Sequence, residues 1–132
     1  MRCLDTPLLE DLLLGRDRAH RWVERLEGGA ELATTEVNLY ELAEIAQRGT
    51  PRAGLRRRLQ ALEEIRRAFT VLPLGPEGVR RAGGLLQGGQ KGPSDLVVLM
   101  SGICLAQGVD ELYTSRGRKL PRGLHGLKVV RV

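Results

Sequence analysis

Met1-Arg2-Cys3-Leu4-Asp5-Thr6-Pro7-Leu8-Leu9 is the stretch whose reading decides the fold. Apolar residues run into an acid, a hydroxyl and a proline, and a leucine-rich helical pattern follows. Arg2–Leu4 reads as a short buried strand and Pro7–Leu14 as a helix. Thr6 serves as its N-cap, Pro7 suits the first helical position and Gly15 is the stop. Asp5 then stands where strand hands over to helix. In an open parallel sheet, ligand sites gather outside the carboxyl ends of the strands. Taken alone, Asp5 is better explained as a helix-entry residue, so its meaning depends on what the other strand ends carry.

Downstream, the same alternation repeats. Arg18–Glu27 has Ala19, Trp22, Val23 and Leu26 at helical spacing before Gly28-Gly29, and Glu31–Thr34 is a second short strand. Thr34 or Thr35 caps a helix over Glu36–Arg48, closed by Gly49. On that helix Asn38 and Glu41 share one face in the first turns, looking back at the end of the preceding strand, the level at which Asp5 would sit. Pro51–Phe69 is a long amphipathic helix with Leu55, Leu59, Leu62, Ile65 and Phe69 on one side and arginines crowding the rest. Phe69–Leu74 is a third strand, placed towards an edge by Pro73. Gly75-Pro76 opens another helix. The Gly-rich Gln87–Pro93 stretch with Lys91 lacks the spacing of a phosphate-binding loop and reads as a plain connection. Ser94 caps, and Asp95 begins, a helix that is apolar nearly all round and ends at Gly108. Val109–Tyr113 and Leu127–Val132 are the last strands, flanking a basic Thr114–Gly126 loop.

Strands alternating with helices predict one three-layer α/β/α domain over 1–132, with a central, mostly parallel sheet of short strands. The 132 residues and the 42% hydrophobic and 28% charged fractions suit one soluble core. No apolar run approaches a membrane span, and Asp5, Glu10 and Asp11 interrupt any secretory signal, so a cytoplasmic address is expected. Cys3 and Cys104 sit in apolar patterns and read as buried free thiols. His20 and His125 are isolated, so any metal would be held by oxygens, which means Mg²⁺ or Mn²⁺. The net charge of +5 suits a nucleic-acid partner, and the 3% of aromatic residues leave phosphate contacts rather than base stacking to hold it.

Three acids, Asp5, Glu41 and Asp95, follow separate buried segments. Carboxylates gathered at one place repel each other, and a cation relieves that repulsion. A bound cation can then activate water for phosphodiester cleavage. Leu4-Asp5-Thr6, Thr35-Glu36-Val37-Asn38-Leu39-Tyr40-Glu41-Leu42, Ser94-Asp95-Leu96-Val97-Val98-Leu99, Asp110-Glu111-Leu112-Tyr113-Thr114 and Leu124-His125-Gly126-Leu127-Lys128-Val129 together resemble the PIN-domain family, in order along the whole chain. The resemblance implies a Mg²⁺-dependent endoribonuclease of the VapC toxin type. Such proteins are usually dimeric, are inhibited by a small VapB-like antitoxin, and often act on structured RNA such as tRNA. On that reading Asp5 is the central metal ligand, Glu41 binds metal or positions the attacking water, and Asp95 is the third ligand. Arg116, Arg118 and Lys119 would hold RNA phosphates.

The chain departs from the family pattern twice. Val97 stands where relatives place the third acid, with Asp95 slightly upstream. Arg116 stands where a further acid is usual; a guanidinium there opposes a second metal by charge while offering a phosphate clamp. A second reading is therefore a degenerate PIN domain that binds RNA or a protein without cutting. A third, a receiver-like phospho-acceptor domain, would want an acid beside Asp5, and none comes before Glu10.

Overall fold

In the computed structural model, residues 1–26, 28, 31–49, 51–86 and 92–132 are described; the Gly-rich connection around Lys91 lies mostly outside them. Among the described residues five strands form one sheet: β1 (Arg2–Leu4), β2 (Leu32–Thr35), β3 (Thr70–Leu72), β4 (Glu111–Thr114) and β5 (Lys128–Arg131). Their order is β3-β2-β1-β4-β5, and every pairing is parallel. β3 lies at an edge, where Pro73 just beyond it breaks no ladder. The order also separates this sheet from the 2-1-3-4-5 arrangement of receiver-like domains, which sets the phospho-acceptor reading aside.

The helices are α1 (Thr6–Leu13), α2 (Asp17–Leu26), α3 (Glu36–Gln47), α4 (Arg52–Ala68), α5 (Pro76–Leu85) and α6 (Asp95–Ala106). They cover the sheet on both faces, and β1 shows how. Its successive side chains point to opposite sides. Cys3 packs with Met100, Ile103 and Cys104 of α6. Leu4 packs with Leu8 and Leu9 of α1, Leu42 of α3 and Ile65 of α4. Leu4 is fully buried, a contribution of about 2 kcal/mol from one side chain. Both cysteines are free and buried. α5 packs chiefly on α6, and the two helices cross closely at Gly102. A Cβ there would lie 2.7 Å from that of Ala82 and closer still to the Gly78 carbonyl, so only glycine permits the approach.

The entry to α1 corrects one expectation. Asp5, not Thr6, is the N-cap: its Oδ1 accepts from the Thr6 N–H at 2.7 Å. Thr6 is the first helical residue, which frees its hydroxyl for other partners. α3 is capped by Thr35, whose hydroxyl accepts from the Asn38 N–H at 3.1 Å. β4 starts at Glu111 and ends at Thr114, slightly later than its apolar pattern suggested.

Candidate functional site

Strand order reverses direction at β1, with β2 and β4 on either side, and the crevice at such a point is where open α/β sheets bind ligands. Here it is filled by a polar network centred on Asp5, which is fully buried. The Asp5 N–H donates to the Tyr113 carbonyl at 2.9 Å, extending the β1–β4 ladder by one residue and fixing the backbone. The side chain is fixed as well. Oδ1 accepts from Thr6 N, from Asn38 Nδ2 at 3.0 Å and from Arg118 Nη2 at 3.2 Å. Oδ2 accepts from Thr114 Oγ1 at 2.7 Å and from Arg118 Nε at 3.0 Å.

The surrounding residues are held just as firmly. Asn38 Nδ2 also lies 3.0 Å from Thr6 Oγ1 and 3.1 Å from Met100 Sδ, while its Oδ1 accepts from the Thr35 hydroxyl at 2.6 Å. The Thr34 hydroxyl donates to the Leu4 carbonyl at 3.0 Å. A crevice lined by buried threonines and an asparagine is costly unless every group is satisfied. Here they satisfy one another.

Glu41 sits one turn beyond Asn38 on α3, and Arg118 bridges it to Asp5. Arg118 Nη1 and Nη2 donate to the two Glu41 oxygens at 3.2 and 2.6 Å. One planar guanidinium thus offers one edge to Asp5 and the other to Glu41, the two-pronged geometry in which arginine binds carboxylates best. Burial works to raise the Glu41 pKa. The hydrogen bond from Arg118, one from Thr6 and the Arg118 charge outweigh it and hold the carboxyl below its ordinary range. For Arg118 burial works against the charged form, and the two carboxylates more than compensate, so its pKa rises.

Of the expected acids, then, the fold brings Asp5 and Glu41 together and leaves Asp95 out. Asp95 is exposed at the start of α6 and lines a shallow apolar hollow of about 270 Å³ with Val79, Ala82, Leu86 and Val98. The reason is helical phase. Asp95 shares a face with Val98 and Leu99, whereas Val97, Met100 and Cys104 form the face towards the sheet. Arg116 and Lys119 are exposed, as phosphate contacts need to be. Arg118, expected beside them, turns inward and is spent on the acids.

These residues do not fit a resident divalent cation. Among the described residues no three His, Cys, Asp or Glu side chains are grouped to hold a metal ion. Asp5 already accepts five hydrogen bonds, which saturates a carboxylate with about four lone-pair directions. The cation that two adjacent carboxylates require is present as Arg118. A guanidinium supplies charge but no Lewis acidity, and it cannot lose a proton to serve as a base. Arg118 in this place, and Thr114 beneath it, are what sequence reasoning missed. The threonine closing β4 and the unusual run of basic residues just after it were the available signals.

Comparison with known structures bears on the fold. The chain superposes on VapBC2 from Rickettsia felis bound to a promoter DNA fragment with a TM-score of 0.80 and 13% identity, over 99% of this chain and 98% of that one. DNA-bound VapBC from Salmonella typhimurium gives 0.76 and 17%, over 98% and 96%. Mycobacterium tuberculosis VapC20, a Sarcin-Ricin loop cleaving toxin, gives 0.65 and 18%, over 85% and 87%. A comparison with curated protein sequences gave no match. The PIN domain family model matches residues 2–106, a span that runs from β1 to the end of α6 and takes in both Asp5 and Glu41. The chain belongs to the PIN domain family.

Proposed function

We propose that this chain is a VapC-like PIN domain that binds RNA and a small VapB-like antitoxin and does not cleave RNA by a metal-activated water. The observation that carries this is the saturation of Asp5 by five hydrogen bonds, two of them from Arg118, with Glu41 on the guanidinium's other edge. Two carboxylates and one guanidinium leave the crevice with one net negative charge. That repels a scissile phosphate rather than drawing it in. Binding therefore falls to the exposed basic residues at the rim, Arg116 and Lys119, through phosphate contacts. The antitoxin partner is argued from the VapBC complexes whose fold this chain shares. A homodimer is the assembly expected by the same resemblance.

The second reading is the Mg²⁺- or Mn²⁺-dependent endoribonuclease, with Asp5 and Glu41 as ligands. What favours it is the convergence of those two acids at the strand-order reversal and a fold shared with a Sarcin-Ricin loop cleaving toxin. One experiment separates the two. Purified protein and Asp5→Asn are incubated with a mixed RNA pool in Mn²⁺ or in chelator, and the same RNA is used in a filter-binding assay. The proposal expects no Mn²⁺-dependent fragments from either protein, together with binding that weakens as salt rises and as Arg116 and Lys119 are replaced by alanine. Metal-dependent cutting by wild type that vanishes in Asp5→Asn would establish the nuclease instead.

A further inference from the structure

Arg118 is not a surface side chain that has fallen onto two acids; the loop carrying it is itself held. Arg131, on the edge strand β5, donates from one nitrogen, Nη1, towards three backbone carbonyls of that loop. The distances are 2.9 Å to Ser115, 3.4 Å to Arg116 and 2.8 Å to Arg118. The Arg118 N–H in turn donates to the Ser115 carbonyl at 3.3 Å, closing a tight turn just after β4. Arg131 therefore grips the Arg118 backbone while the Arg118 side chain grips Asp5 and Glu41. The Arg118 side chain is 19% exposed, that of Glu41 20% and that of Asp5 not at all. The guanidinium thus stands between the buried acid and solvent.

We propose that Arg118, positioned by Arg131, is the permanent counter-cation of the Asp5–Glu41 pair and closes that pair to divalent metal. This rests on the non-cleaving reading above and deepens it by naming the residues responsible. A divalent ion approaching from solvent meets the guanidinium before it meets Asp5. To bind, it must break four hydrogen bonds to Arg118 and leave that charge half-buried without a partner, a costly state. Asp5 and Glu41 cannot satisfy both cations, because the oxygens that would ligate metal are those already accepting from Arg118. Removing the guanidinium leaves two facing carboxylates, the Thr114 hydroxyl and no cation. That donor set is hard, oxygen-only and doubly negative, suited to Mn²⁺ or Mg²⁺.

The test is Mn²⁺ uptake by the full chain, read from loss of the free-ion electron paramagnetic resonance signal, with thermal melts in Mn²⁺ and in chelator alongside. Wild type is expected to take up none and to melt at the same temperature in both. Arg118→Met is expected to melt lower in chelator, to recover in Mn²⁺ and to bind about one ion per chain. Asp5→Asn added to Arg118→Met should abolish that uptake. Arg131→Ala, an exposed change that leaves the acids intact, should give weaker uptake than Arg118→Met but more than wild type; it also serves if Arg118→Met does not fold. Uptake by wild type equal to that of Arg118→Met would overturn both this inference and the non-cleaving reading. A folded Arg118→Met that binds no Mn²⁺ would overturn this inference and leave that reading standing. Arg131→Ala indistinguishable from wild type, beside a responsive Arg118→Met, would remove Arg131 from its positioning role.

Discussion

Asp5 and Asp11 lie on the same strand–helix unit, both nearly excluded from water, and each is paired with arginine. Asp11 is served locally: Arg16 Nη1 reaches Oδ1 at 3.0 Å, and Arg18 reaches both oxygens at 2.7 and 2.8 Å. Those side chains are 44% and 64% exposed. They pin the start of α2 to α1, and either can swing back into water if the contact is lost. Asp5 is served by its neighbour Thr6 and, from across the chain, by Asn38, Thr114 and Arg118. Thr6, Asn38 and Thr114 are buried and have no water to return to without rearrangement, and the Arg118 side chain is only 19% exposed. The same chemical pair is thus a surface clip in one place and the keystone of a site in the other. What separates them is whether the partners are solvated once released.

The sharpest test of that contrast is Asp5→Ala. It strands Asn38 and Thr114 in a buried crevice and leaves Arg118 with Glu41 alone. A loss of about 3–5 kcal/mol is expected by urea denaturation, a large part of the stability of a domain this size. Asp11→Ala comes next: its arginines rehydrate, and the loss should be about 1–2 kcal/mol by the same measurement. Equal losses at the two positions would break the comparison. The smallest effect is expected for Arg18→Ala, because Arg16 remains on Asp11. Its melting temperature should differ slightly from wild type at low salt and merge with it at high salt, where exposed charges are screened. The Asp5→Ala penalty should be insensitive to salt. An Asp5→Ala penalty that fades with salt would place Arg118 in solvent rather than in the crevice.

Where the sequence was legible, local rules carried it. Arg2–Leu4 as a strand and Asn38 with Glu41 on a common face follow from short-range periodicity, and each stands so in the structure; of the two threonines offered as the cap of α3, Thr34 and Thr35, the structure uses Thr35. Asp95 shows where periodicity should have been pressed further. Lying two residues before Val97, it is turned roughly 200° around the helix from the face that reaches the sheet, and it shares the outer face with Val98 and Leu99. Arg118 was legible only as one more basic residue in a loop without period. Nothing local distinguishes a guanidinium that will bind phosphate from one that will fold back onto acids 77 and 113 residues away. That choice is made by the closing of β4 onto β1 and by Arg131.

The strand register sets when the crevice can exist at all. β1 lies at the centre of the sheet, yet its pairing across Cys3 and Leu112 spans most of the chain, and parallel pairings of such separation form slowly. Until β4 docks, the open side of β1 is an unpaired edge, and the Asp5 carboxylate faces water with neither Thr114 nor Arg118 beside it. A nascent chain that has emerged only through α6 therefore carries an unclosed sheet and an unneutralised acid pair. Neutralisation and edge closure arrive together, with β4 and the loop that carries Arg118. Truncation between α6 and β4 is expected to expose an aggregation-prone strand edge on β1.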